Sequence, residues 1–381
     1  MQVSSPNPTT SLTPEFFIVA AGIVNAGFTL PLKRMRTWPW ENAWLIWTFT
    51  ALIIFPVIVA ILTIPHLARS YIEADRTSLF KIFLCGAGWG AAQALFGLSI
   101  ESIGVALGFS IVLGVSAAVG ALIPFVRLYP ALLLQHTGAL LFSGLTVVAI
   151  GVSLCALAGR RRELQLDGTR NLAERPFKFG LACALASGVL ASMMNLGISF
   201  GGSLLKLATD HGASPLWCAN ILWPPLLAAG AIPNIAYCLY LMRNRRSTTR
   251  YSGEGLLYCW SLSVLMGLLW FGGHVLYGMG ISSLGALGPT LGWPVYMSFL
   301  VISAGLYGFA TGEWKQVTNG PIGLQLAGMA ILCVAVSSFP EHDPDGRPRS
   351  MSGIGPREIC ACTIRDLSGD TSTILRRAQL C

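Results

Sequence analysis

Charge is what this chain lacks. Of its 381 residues, 54% are hydrophobic and only 11% are charged. A water-soluble domain carries roughly 25% charged residues, so an ordinary soluble globule is excluded. Residues 255–312 hold no Asp, Glu, Lys or Arg at all. As one helix at ~1.5 Å per residue that run would be on the order of 87 Å long. A bilayer's hydrocarbon core is only ~30 Å thick, so the run contains two crossings. The apolar runs are continuous rather than alternating, which argues against a β-barrel. No apolar span contains an Asp, and no G-x-S-G stands beside a partner histidine, so an intramembrane enzyme lacks its catalytic groups. No filter-like run of the kind that lines a passive channel is present. The ten cysteines include no C-x-x-C pair, and seven lie within or beside apolar runs. They read as small apolar fillers, with no metal site and no cofactor.

What remains is a pattern of ten apolar spans, at 14–32, 42–64, 80–99, 103–126, 131–158, 178–201, 215–241, 255–280, 285–311 and 320–339. The first begins near Phe16 with no Lys or Arg before it, and reads as a retained span rather than a cleaved signal. Between the third and fourth spans only a short turn at Glu101–Ser102 is expected. The fold class is an all-α polytopic membrane protein. Residues 1–13 form an N-terminal tail, 14–158 five helices, 159–177 a basic linker and 178–340 five more helices. Residues 341–381 are polar, lack lysine and apolar periodicity, and are expected to be disordered.

The formal charge of +8 points to no nucleic acid, because the basic residues sit in short loops. Loops after odd-numbered spans hold fourteen Lys and Arg, and loops after even-numbered spans hold five. The positive-inside rule makes the odd loops cytoplasmic and puts both termini outside. Six arginines beyond Pro340 oppose this. The short loops decide, since the rule is strongest there.

The two groups of five are related in sequence. "WGAAQALFGLSIESIG" (89–104) overlies "WFGGHVLYGMGISSLG" (270–285) without a gap, matching at six of sixteen positions. "NAGFT" (25–29) pairs more weakly with "NLGIS" (195–199). Five is odd, so the second group enters the membrane in the opposite sense. A 5+5 inverted repeat is an architecture of secondary transporters, whose substrate sites lie near the midplane between the halves. Trp89 then corresponds to Trp270, Gln93 to His274 and Asn25 to Asn195.

The chain resembles the L-rhamnose–proton symporters of the drug/metabolite transporter superfamily. The resemblance is carried by "LKRMRTWPWENAW" (32–44), "GAGWGAAQALFGLSIESIGVALG" (86–108), "LLWFGGHVLYGMG" (268–280) and "MSFLVISAGLYGFATGEWK" (297–315), and covers about residues 15–340. It implies uptake of a 6-deoxyhexose together with a proton across a bacterial inner membrane. Na⁺ is the alternative coupling ion, and export or carriage of another sugar or small metabolite is the alternative function.

The site residues come from the residues themselves. A sugar needs groups that donate and accept hydrogen bonds, and aromatic faces for its C–H side. Gln93 lies four residues after Trp89, and His274 four after Trp270, each pair on one helix face. Tying helices together, worth about 0.6–2 kcal/mol per hydrogen bond, is the alternative role for both polar groups. For Asn25 and Asn195 that structural role is the favoured one. Trp293 and Tyr296 flank Pro294, which can free a carbonyl inside the bilayer. Trp38, Trp40, Trp44 and Trp47 read as an interfacial aromatic belt. His274 is the first candidate for proton coupling and Glu101 the second. Glu313 is placed at the cytoplasmic interface.

Overall fold

The computed structural model describes residues 13–35, 37–167, 177–251, 256–284 and 288–337. Every regular element among them is helical. Ten helices are long and apolar enough to cross a membrane: Pro14–Arg34, Trp40–Thr63, Arg76–Ile100, Leu107–Arg127, Gly138–Leu166, Phe177–Asp210, Trp223–Arg245, Leu256–Ser283, Gly288–Ala310 and Asn319–Val336. They are called the first to tenth spans below. The N-terminal tail and the 341–381 segment lie outside the described residues.

Several boundaries differ from the sequence reading. The third helix continues through Glu101 and Ser102 to Ile103, and the chain turns at Gly104, where φ is +90°. Glycine is suited to that conformation because it has no Cβ. Glu101 therefore sits in the last helical turn rather than in a loop. The fifth helix extends from His136 to Asp167, so the start of the basic linker is helical. The sixth span bends near Ser192 and Gly201 before ending at Asp210. In the second span a π-helical turn, Thr50–Ile54, precedes Pro56. Proline has no N–H to offer the preceding turn, and the wider turn absorbs the mismatch.

The spans pack in a regular pattern. The first lies on the eighth and ninth, and the sixth lies on the third and fourth. The third packs on the seventh, and the eighth on the second. The second and seventh, fourth and ninth, and fifth and tenth also face each other, and the fourth packs on the fifth as the ninth does on the tenth. Small residues permit these approaches, as is common between helices in lipid. A Cβ on Gly273 would stand 2.7 Å from the Cβ of Asn25, and one on Gly230 would stand 2.7 Å from the Trp89 ring. Gly90 meets the carbonyl of Gly230 in the same seam.

Charged contacts gather at the two ends. At one end Glu313, after the ninth span, pairs with Lys33, after the first, and with Arg162 at 2.8 Å, on the fifth helix. Burial opposes ionisation of Glu313, but Lys33 and Arg162 outweigh it and hold the carboxyl below its ordinary value of 4.5. At the other end His211 Nε2 lies 3.1 Å from Glu73, and His211 Nδ1 lies 2.8 Å from Ser70 Oγ. Tyr71 donates to the Ile221 carbonyl beside them at 2.7 Å.

Two outcomes are expected. Gly90→Val should lower stability by roughly 1–3 kcal/mol through overpacking, read as a depressed melting temperature in detergent. Gly272→Ala, where a Cβ meets nothing within 4 Å, should not. A carboxyl with a lowered folded pKa stabilises above its unfolded pKa and ceases to as pH falls through the folded one. Glu313→Gln should therefore melt lower than the parent at pH 7, with the difference shrinking only below about pH 4.5.

Candidate functional site

A cavity of about 160 Å³ lies among the first, second, third, fourth, sixth, eighth and ninth spans. A water needs roughly 10–15 Å³ of such space, so there is room for on the order of ten waters, a monosaccharide's worth. Its wall brings together seven of the eight residues proposed from sequence to touch substrate: Asn25, Trp89, Gln93, Trp270, His274, Trp293 and Tyr296. Among the described residues, none that lines it is Asp, Glu, Lys or Arg.

The indoles of Trp89 and Trp270 meet with ring centroids 5.5 Å apart and planes 35° apart. His274, one helical turn beyond Trp270, lies over that indole at 3.9 Å. Trp47 closes on the same ring edge-on at 5.3 Å. On its other sides His274 faces the edge of Trp223 at 5.7 Å and Tyr296 at 6.0 Å. The imidazole is thus enclosed by aromatic rings and is 3% exposed.

Polar contacts fix its orientation. His274 Nδ1 lies 2.9 Å from the Trp270 carbonyl, and the Asn25 amide donates to that same carbonyl at 3.0 Å. The Asn25 nitrogen is also 3.3 Å from His274 Nδ1. The Nδ1 side of the ring is therefore occupied, while Nε2 has no protein partner among the described residues. An imidazole tethered at one nitrogen and open at the other can exchange a proton, or a hydrogen bond, at the open one. Gln93 also lacks a protein partner among the described residues, which leaves its amide available to a ligand.

Asn195 lies behind the cavity wall rather than in it. Its amide donates to the Gly120 carbonyl at 2.9 Å and the Pro289 carbonyl at 2.8 Å, and its oxygen accepts from the Tyr277 hydroxyl at 2.9 Å. The Gly120 carbonyl needs this partner because Pro124, four residues on, has no N–H to give it. Asn195 thus satisfies a carbonyl in a place without water. Glu101 lies two helical turns beyond Gln93 on the third helix.

Trp44 and Trp47 correct the aromatic-belt reading. Both line the cavity, and Trp47 is only 1% exposed. Trp40 stacks on Trp44 at 4.9 Å and Trp44 packs on Trp47 at 4.3 Å, leading inward from the exposed Trp40. The signal was present: positions 40, 44 and 47 share one helix face. Ser116, Phe28, Phe96 and Phe109 also line the wall without having been singled out. Phe28, Trp44, Phe96 and Phe109 lie near the span ends that face Lys33 and Gly104, so the cavity reaches toward that end.

Ten helices long and apolar enough to cross a membrane, around an aromatic-walled cavity, are the architecture of a multi-pass membrane transporter. Residues 11–339 match the sequence profile of the L-rhamnose-proton symport protein (RhaT) family, and the chain belongs to that family. An L-rhamnose-proton symporter of Escherichia coli O1:K1 / APEC is 26% identical over 335 residues, covering 86% of this chain and 97% of the relative. The symporter of the same name from Enterobacter sp. (strain 638) is 25% identical, and that of Shigella dysenteriae serotype 1 (strain Sd197) 26%, over the same length.

Asn195 and Tyr277 should behave as a unit. In a double-mutant cycle of Asn195→Ala and Tyr277→Phe, melting temperatures should reveal a coupling of about 0.5–3 kcal/mol. Strict additivity would show that the two side chains act separately.

Proposed function

We propose that the protein is a proton-coupled carrier that imports L-rhamnose or a similar 6-deoxyhexose. The observation that carries this reading is the central cavity, where an open imidazole, a free amide and stacked indoles share a wall without formal charge. Hydroxyls of a neutral sugar would bond to Gln93, Asn25 and His274, and its C–H face would lie on Trp89, Trp270, Trp293 and Tyr296. Asn195 supports this wall from behind. His274 would carry the proton through Nε2, with Glu101 as the second candidate and Na⁺ as the alternative ion.

Transport would proceed by alternating access between two inverted halves, residues 14–158 and 178–340, joined through 159–177. The packing supports this: exchanging each span for the one five places along turns the contacts of the first with the eighth and ninth into those of the sixth with the third and fourth. The third–seventh pair becomes the eighth–second pair in the same way. In the proposed orientation both termini are outside a bacterial inner membrane, and the cavity reaches toward the cytoplasm, as in an inward-facing carrier. A carrier or exporter of another sugar or small metabolite is the second reading. It is favoured by an identity of only 26% to the named symporter, which leaves scope for a different ligand.

Proteoliposome flux tests the proposal. Labelled L-rhamnose should accumulate when the outer buffer is made acidic, and uptake indifferent to the gradient would exclude proton symport. Competition by a sugar panel separates rhamnose from the second reading. His274→Ala should abolish gradient-driven accumulation while leaving part of the counterflow exchange; unchanged accumulation would reduce His274 to packing. Gln93→Ala should raise the half-saturating sugar concentration by about fivefold to tenfold, the loss of one hydrogen bond of about 1–1.5 kcal/mol.

A further inference from the structure

A second pocket, of about 410 Å³, opens between the start of the second span and the end of the seventh. Its wall includes Pro39, Glu41, Arg245, Arg246, Ser247 and Arg250. The Glu41 carboxylate is fully buried and already engaged, by Arg245 Nη1 at 3.1 Å and by Ser247 Oγ at 2.9 Å. Asn42 fastens the same turn by donating to the Ser247 carbonyl at 3.1 Å. One cation is thereby neutralised. Arg246 and Arg250 have no acidic partner among the described residues, so the described wall of the pocket carries an excess of positive charge. Arg246 occupies a left-handed backbone conformation, φ +51°, which L-residues rarely adopt, and it ends the seventh span there.

The depth of this pocket is marked by aromatic side chains. Tyr251 follows Arg250 directly and packs edge-on against Trp38 at 5.0 Å, while Trp260 lies 5.9 Å from both rings. Trp40 and Trp260 remain 37% and 38% exposed at the ends of apolar spans. Exposed indoles in that position lie at the level of lipid headgroups. Two free guanidinium groups at that level match the geometry of a phosphodiester, which they can engage through paired N–H donors.

We propose that this pocket binds the phosphate of an anionic phospholipid headgroup, held by Arg246 and Arg250 and positioned by the Glu41–Arg245–Ser247 contacts. The ligand would bridge the second and seventh spans. The site is separate from the central cavity and does not depend on which substrate that cavity carries.

The test uses the full chain in nanodiscs and the association of spin-labelled phosphatidylglycerol relative to phosphatidylcholine. The parent protein should prefer phosphatidylglycerol. Arg246→Gln and Arg250→Gln should each weaken that preference by about fivefold, the effect of one basic residue at an anionic surface. Arg160→Gln with Arg161→Gln, exposed cations on the fifth helix, should leave it unchanged. Equal losses in the control pair, or none in the pocket variants, would overturn the proposal. Displacement of the lipid by millimolar inorganic phosphate would overturn the assignment to lipid. Should a variant fail to fold, Arg250→Gln alone, away from the buried Glu41 pair, still decides.

Discussion

A polar atom inside this bundle has no water to turn to, and the architecture follows from that constraint. Each unpaired group in an apolar interior costs several kcal/mol. Prolines within spans therefore create obligations that other side chains must meet. Pro124 withdraws the partner of the Gly120 carbonyl, and Asn195 supplies one from the sixth span. Asn195 then has its oxygen left over, which Tyr277 takes. One missing N–H in the fourth span thus ties together the fourth, sixth, eighth and ninth.

The same rule separates structure from function. Asn195 and Asn25 resemble each other in sequence, each in a Gly-containing segment, yet they do different work. Asn195 has its donors and acceptor consumed by protein. Asn25 uses its amide nitrogen to hold the Trp270 carbonyl and the Nδ1 side of His274. Gln93 and His274, whose Nε2 has capacity to spare, line the cavity, as does the Ser116 hydroxyl, unpartnered among the described residues. Between these two asparagines and Gln93, satisfaction of hydrogen bonds, more than polarity itself, separates a fastener from a group available to a ligand.

Ten apolar spans and seven residues of the cavity wall were legible in the sequence, because hydropathy and a one-turn Trp-to-polar spacing are local properties. Interruptions were less legible. Glu101 and Ser102 looked like a turn because they are polar, but a helix in a membrane can end with polar residues at its mouth. The break falls at Gly104, where only backbone conformation reveals it. Trp47 was read as interfacial because it lies near basic residues in sequence. Positions 40, 44 and 47 share one helix face, but that this face turns inward depends on Trp270 in the eighth span, which no local pattern encodes. Whether Asn195 faced the cavity could not be read either, since that depends on a proline in a different span.

Among the described residues the cavity wall carries no fixed charge, and this has an electrical consequence. With a neutral sugar and His274 carrying the proton as proposed, the loaded cavity holds one positive charge and the empty cavity none. The membrane potential then acts on the loaded journey and leaves the return journey untouched. A potential of 100 mV contributes about 2.3 kcal/mol for each charge moved. Import would be electrogenic, and a cell could concentrate the sugar by voltage alone, even without a difference in pH across the membrane.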